Sequence, residues 1–462
     1  LTMRSSKSTA RCQHSKLTYA LSSHAESVKY KQPSLEQRIA ATTPSGTLKP
    51  KVEDSNAKRD AKSCGTFPAP LILPNDDLAL DPTYPAQSLR GWIREKDRNK
   101  VVSEQRTIYL AAPPTLDEDV NFVKGWTSPG GQHSGAKIKQ PDPQHVLAYL
   151  KAFYHGLPVK MLPKIVFNFT AQVDDLADMA NGKKTSPNRK TVGLSTGTES
   201  GCKGIRYRPT PDGLFPHQLN LDDLLDAAIW ALPADAYALL LLVEHDLYED
   251  EEDEFVCGRA YGGSRVAVIS TARYHPVLDS VQGIEREHAW PASHCEEYLQ
   301  SCLNAASTDN RRKKTKSSTK AKAVIVIDDD STSDELEDIS PMQAAVSAHS
   351  ALPSLEVSPS TALLSGLWLG RVCRTVSHEL GHCFGMDHCV YYACSMQGSA
   401  SIVEDARQPP YLCPVDSAKL LRATEGDVKE RYTAIVKFCG EHKDVHLFAA
   451  YGAWIRARLE QM

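Results

Sequence analysis

Apolar residues recur along this chain at two spacings, and those spacings set the expected elements. Val146, Leu147, Leu150 and Phe153 repeat at helical intervals and predict a helix from Pro143 to Tyr154. Leu221, Leu224, Leu225, Ala228, Ile229 and Leu232 do the same behind the capping residue Asn220, and Pro233 stops the pattern. A short helix is expected from Leu89 to Arg94. Leu364, Leu367, Trp368, Val372 and Val376 predict a helix over Leu363 to Gly381. Beyond Ser417 two or three more follow, the last from Val445 to Leu459 with Leu447, Phe448, Tyr451, Trp454 and Ile455 on its apolar face. Ala238 to Val243 is an unbroken apolar run, short enough for a fully buried central strand. Thr107 to Leu110, Ile165 to Phe167 and Val266 to Ile269 read as further strands. Leu71 to Pro82, punctuated by proline, reads as an extended arm packed on a domain.

Between these segments the pattern lapses. Residues 1–65 are rich in Ser, Thr, Lys and Gln and are expected to be a disordered tail. Residues 303–360 carry the basic block Arg311 to Lys314 and the acidic block Asp328 to Asp330, and are expected to be a disordered charged insertion. Asn121 to Gln140 reads as a loop and Lys183 to Lys203 as a surface insertion. Asp250 to Glu254 reads as a solvated acidic loop, with a calcium site as the minor alternative. The expected organisation is one α/β domain in two parts. Residues 66–302 carry a twisted, mixed, mostly parallel sheet with its helices; residues 361–462 carry a long helix and a helical C-terminal subdomain.

Composition narrows the function classes. A formal net charge of −4 over 462 residues argues against a nucleic-acid coat or a wholly basic membrane binder. Twelve cysteines scattered singly do not make a secreted disulfide scaffold. No apolar stretch reads as a signal peptide or approaches the ~20 residues of a membrane span. An intracellular protein, cytoplasmic or nuclear, without membrane or direct nucleic-acid binding, is expected.

The chemistry concentrates in His378-Glu379-Leu380-Gly381-His382-Cys383-Phe384-Gly385-Met386-Asp387-His388. His378 and His382 are one helical turn apart on one face, so both imidazoles can reach a single Zn²⁺. Gly385 can end the helix and turn the chain back, which would bring His388 to a third ligand position. Glu379 can lean over the metal without ligating it. Three neutral imidazoles leave a fourth position for water, with Glu379 placed as general base. That is the apparatus of metal-assisted amide hydrolysis, and the spacing is the metzincin signature.

The residues that follow carry a closer resemblance. Cys389 stands directly after the third His, Cys394 five residues on, Met396 two further, and Cys413-Pro414-Val415-Asp416 lies downstream. This resembles the archaemetzincins, a branch of the metzincins. The resemblance implies a metzincin-like fold and a zinc peptidase, with aminopeptidase action on short peptides as one form of it. It further implies a second, structural zinc on Cys389, Cys394 and Cys413, and Met396 as the turn methionine beneath the catalytic metal. Asp416 stands where the family has a fourth Cys; it can ligate zinc, or the site is weak, completed elsewhere or empty. Archaemetzincins also share a Gly-rich entry, here Gly262-Gly263-Ser264, and a strand ending in Ser270-Thr271-Ala272-Arg273. By resemblance Arg265 to Tyr274 is expected to be the edge strand that binds substrate backbone, with an internal strand as the alternative. His288, His294, Cys295 and Cys302 fit no zinc spacing and read as satisfied or exposed residues.

One motif lies outside this scheme. Val324-Ile325-Val326-Ile327 precedes Asp328-Asp329-Asp330 and the phosphorylatable Ser331 and Ser333. It resembles a segment that binds the small ubiquitin-like modifier, and the nearby Arg311 to Lys314 block fits a nuclear localisation signal. Hence the alternative function: a metal-stabilised interaction protein of low turnover, acting through its insertion.

Overall fold

Strand β8, Ala236–Val243, is buried along all eight of its residues and sits in the middle of a five-stranded sheet. The sheet runs β10 (Gly258–Tyr261), β11 (Val266–Ser270), β8, β1 (Thr107–Ala111), β3 (Val159–Met161). Four of these strands are parallel; β10 alone pairs antiparallel, at the edge. A strand covered on both faces has no polar side to present, which is why β8 reads as continuous apolar sequence. Its alternate residues feed two different cores. Ala238, Leu240 and Leu242 meet the helices Pro143–Phe153 and Thr361–Cys383, whereas Leu239, Leu241 and Val243 meet Leu221–Trp230. The computed structural model describes residues 12, 14–47, 66–130, 138–163, 166–171, 190–197, 201–313 and 340–462, with the side chains of 306–313 outside that set.

The molecule is mixed α/β, with a second sheet that the sequence pattern did not announce. It runs β2 (Thr115–Leu116), β4 (Asn168–Thr170), β5 (Thr191–Ser195), β6 (Cys202–Arg208), β7 (Gln218–Asn220), β9 (Asp246–Tyr248). The expected surface insertion over Lys183 to Lys203 is therefore corrected: β5 and the start of β6 lie within it. Val192 and Leu194, two apart among polar neighbours, turn inward beside Ile205 and Leu219. The expected loop over Asn121 to Gln140 begins with the end of a 3₁₀ turn, Glu118–Trp126, that buries Val120, Val123 and Trp126.

The N-terminal tail is also corrected. Ser23–Ser27 and Leu35–Ala41 are helices, the second closed by a capping box between Ser34 and Gln37. The segment has too few apolar residues for a core of its own, and instead lends Ala25, Tyr30 and Ala41 to the body of the protein. Its Tyr30 hydroxyl donates to the Val390 carbonyl, and Gln32 Nε2 donates to the Tyr391 carbonyl at 2.6 Å. The insertion is narrower than 303–360. The helix Glu296–Lys313 enters it, and Pro341–Ser350 packs Met342 and Ala345 in the main core, against the last helix, His446–Glu460. Val324 to Ile327 lie outside the described residues.

The long helix Thr361–Cys383 carries the first two motif histidines. Ser360 caps it, its hydroxyl accepting from the Leu363 N–H at 3.2 Å. Trp368, Val372, Cys373, Val376, Leu380 and Cys383 bury its apolar stripe under the sheet. Midway along, Arg371 makes two hydrogen bonds to Asp279, at 2.7 and 3.0 Å, and Arg286 adds a third at 2.6 Å. This buried cluster pins the helix against the turns that follow β11.

Candidate active site and metal centres

Gly385 sits at φ +72°, a left-handed conformation that L side chains resist, and the helix ends there. The chain then reverses and brings the His388 ring back beside those of His378 and His382, 5.4 and 5.1 Å away between centroids. One ring nitrogen from each of His378, His382 and His388 lies within 4.8 Å of the others. The Nε2 atoms of His378 and His382 are 3.1 Å apart. Both Nδ1 atoms are occupied elsewhere: His378 donates to the Ser395 carbonyl and His382 to the Met386 carbonyl, each at 2.7 Å. Those bonds fix the tautomer with a bare Nε2 lone pair facing the cluster, the arrangement metal-ligating histidines adopt.

The electrostatics agree with that tautomer. Burial holds His378 well below the usual imidazole range, with His382 and His388 adding to it. Burial lowers His382 to about 4 and also lowers His388. Three neutral imidazoles converging on one point are a donor set that fits Zn²⁺. Met396 is fully buried, and its sulfur lies so close to Gly381 that a Cβ there would overlap it. The helix turn between His378 and His382 thus rests on Met396 without an intervening side chain.

Glu379 lines the same cleft, an open cavity of about 1070 Å³ that also includes Gly258, Arg259, Ala260 and Asp405. Burial pushes its carboxyl up to about 8 and Asp405 adds to this, while Arg259 and the backbone of Ala260 pull it down. A cation held by the neighbouring imidazoles would stabilise the carboxylate form further. Arg259 and Ala260 belong to β10, which is therefore the strand over the site. The edge-strand expectation for Arg265 to Tyr274 is corrected accordingly. Residues Val266–Ser270 are fully buried and lie between β10 and β8, so they have no open edge. Sequence reasoning missed β10 because Gly258–Tyr261 is three half-exposed residues and the exposed Arg259, with no apolar period.

A second cluster lies one residue beyond His388. One atom each from Cys389, Cys394, Cys413 and Asp416 falls within the same 4.8 Å limit, and all four residues are buried. Cys389 Sγ is 3.6 Å from Cys413 Sγ, and Asp416 Oδ2 is 3.3 Å from Cys394 Sγ and 3.4 Å from Cys413 Sγ. The Cys413 N–H donates to Cys394 Sγ at 3.2 Å, which suits a sulfur carrying negative charge. Asp416 thus takes the place of a fourth thiol, and the donor set fits a tetrahedral zinc. Burial raises the Asp416 carboxyl to about 7, with Cys389 adding and Lys419 opposing. Lys419, also buried, donates to Asp416 Oδ1 at 2.8 Å and to Gln87 Oε1 at 2.8 Å. It turns Asp416 so that its other oxygen faces the sulfurs. Lys419 was not singled out from sequence, although its i+3 spacing from Asp416 on a helix places the two together.

Of the remaining candidates, His294 is buried beside the Ala69 carbonyl at 3.4 Å, whereas His288 faces His14 and Cys12. The acidic run is a loop closed on itself. Asp253 Oδ2 accepts from the Glu249 and Asp250 N–H groups, and Arg208 donates to the carbonyls of Asp250, Glu251 and Asp253. None of the described metal-ligand clusters includes it.

The model of Peptidase family M54 matches residues 330–422. Archaemetzincin-2 of Macaca fascicularis is 27% identical over 375 residues, 80% of this chain and 74% of its own length. Archaemetzincin-2 of Rattus norvegicus is 37% identical over 106 residues, which is 22% of this chain and 28% of that protein. The solved structure of archaemetzincin from Methanopyrus kandleri aligns over 71% of this chain and 99% of its own at 15% identity, with a TM-score of 0.30.

Proposed function

We propose that this chain, similar to the archaemetzincins and to Peptidase family M54, is a zinc metallopeptidase that hydrolyses peptide bonds in the cleft beneath β10, in a metzincin-like manner with Glu379 as general base. The observation that carries this reading is the convergence of three imidazoles, two with their Nδ1 pinned, beside the Glu379 carboxyl group in an open cleft. His378, His382 and His388 would hold the zinc, which supplies Lewis acidity for the scissile carbonyl and for water. Glu379 takes the proton of the attacking water and returns it to the departing amine. The low-dielectric wall around it keeps the carboxylate basic enough for both transfers. A substrate backbone adds to the outer edge of β10, where main-chain groups recognise peptides without regard to sequence. Glu254 and Asp387 in the same cleft favour an aminopeptidase, since a carboxylate suits a terminal ammonium.

Cys389, Cys394, Cys413 and Asp416 hold a second, structural zinc in this reading. Their thiolates favour a reducing compartment, cytoplasmic or nuclear. The alternative, binding of the small ubiquitin-like modifier through Val324 to Ile327, stands on sequence alone. The experiment for the proposed base is Glu379→Ala assayed on a peptide library. Cleavage should fall about 10²- to 10⁴-fold with zinc content unchanged; a wild-type rate would remove Glu379 from the mechanism.

A further inference from the structure

We propose that Cys12, His14 and His288 form a further divalent-metal site that clips the N-terminal segment onto the body of the protein. Ligand atoms of Cys12, His14 and His288 lie within 4.8 Å of one another. Cys295 Sγ lies beside the cluster, 3.2 Å from Cys12 Sγ. Two imidazoles and one thiolate are three zinc donors and leave a fourth position for water.

The imidazole of His288 is built for ligation. Glu285 Oε2 is 2.9 Å from its Nδ1, and Tyr298 stacks on the ring at 4.2 Å between centroids and 9° between planes. A proton on Nδ1 toward the carboxylate leaves Nε2 as a bare acceptor, the carboxylate–histidine arrangement that orients metal ligands. That Nε2 is buried with no hydrogen-bond partner among the described residues. A buried acceptor left without a donor is unfavourable, and a metal ion would satisfy it. The edge-on ring of His14 lies 5.4 Å away between centroids. Glu297 Oε2, 3.5 Å from Cys12 Sγ, adds negative charge on the open side.

The backbone already holds the two segments in register. The Thr18 N–H donates to the His294 carbonyl at 2.9 Å and the Glu296 N–H to the Lys16 carbonyl at 3.1 Å. A metal at this place would close a loop of more than 270 residues. It would also secure the segment whose Tyr30 and Gln32 bond the carbonyls of Val390 and Tyr391, directly after Cys389.

The test is metal content. Wild-type chain, His14→Ala and His288→Ala are loaded with zinc, dialysed and measured by elemental analysis, with circular dichroism to establish folding. Each variant should hold one ion per chain fewer than wild type, and His14→Cys should restore it. Half-exposed His14 decides the matter if His288→Ala fails to fold. Equal metal content in wild type and His14→Ala would overturn the proposal. So would wild-type protein in which Cys12 and Cys295 resist alkylation as a disulfide.

Discussion

Asp416 stands where the resemblance to archaemetzincins implies a fourth thiol, and the consequence is testable at that residue. A carboxylate is a harder and weaker zinc ligand than a thiolate, and here Lys419 draws one of its oxygens away from the cluster. Asp416→Ala should release one zinc per chain and lower the melting temperature, because metal affinity at such a site is folding free energy. Asp416→Cys should retain zinc against a chelator longer than wild type does. Zinc content unchanged in Asp416→Ala would show that the cluster holds no metal through this residue. At the same scale, the donor histidines were legible because spacing on a helix fixes which residues share a face. Arg259 was not, since its role depends on what tertiary packing places opposite it, whereas Lys419 was signalled only by its i+3 spacing from Asp416.

Elements were read most faithfully where one physical requirement dominates. Asn220 caps its helix as expected, its side chain accepting from the Asp223 N–H. Leu89–Arg94 and the last helix also fall where their apolar spacing puts them. The fully buried β8 was legible for the same reason. Short strands in the second sheet were not, since β2, β4, β7 and β9 are two or three residues each and have no room for a period. The histidine helix depends on a contact no pattern could give, Arg371 on Asp279, two helical turns before His378. Removing that carboxylate leaves two guanidinium groups without it, one of them buried, and breaking a buried ion pair costs about 3–5 kcal/mol. Asp279→Ala should lower the stability measured by denaturant titration by that amount and reduce zinc retention at the histidines. A loss below about 1 kcal/mol would show that the cluster does not anchor the helix.

At the scale of the whole molecule, two cores on opposite faces of one sheet set the cleft between an edge strand and a helix end. The segments expected to be disordered contribute to that frame where they carry even a few apolar anchors. Composition averages over such residues, which is why the N-terminal tail and the far end of the insertion were misread. The histidine cluster and the cysteine cluster are joined through the peptide bond between His388 and Cys389, so a metal ion held at one would fix the chain next to a ligand of the other.

The most direct test of the central claim is peptide cleavage by the folded wild-type chain before chelation, after removal of metal, and after zinc is returned. Circular dichroism should be recorded at each stage. The account predicts that cleavage disappears with the metal while the fold is largely kept, and returns with zinc in wild type but not in Glu379→Ala. Cleavage that survives complete removal of metal from the histidine cluster would contradict it.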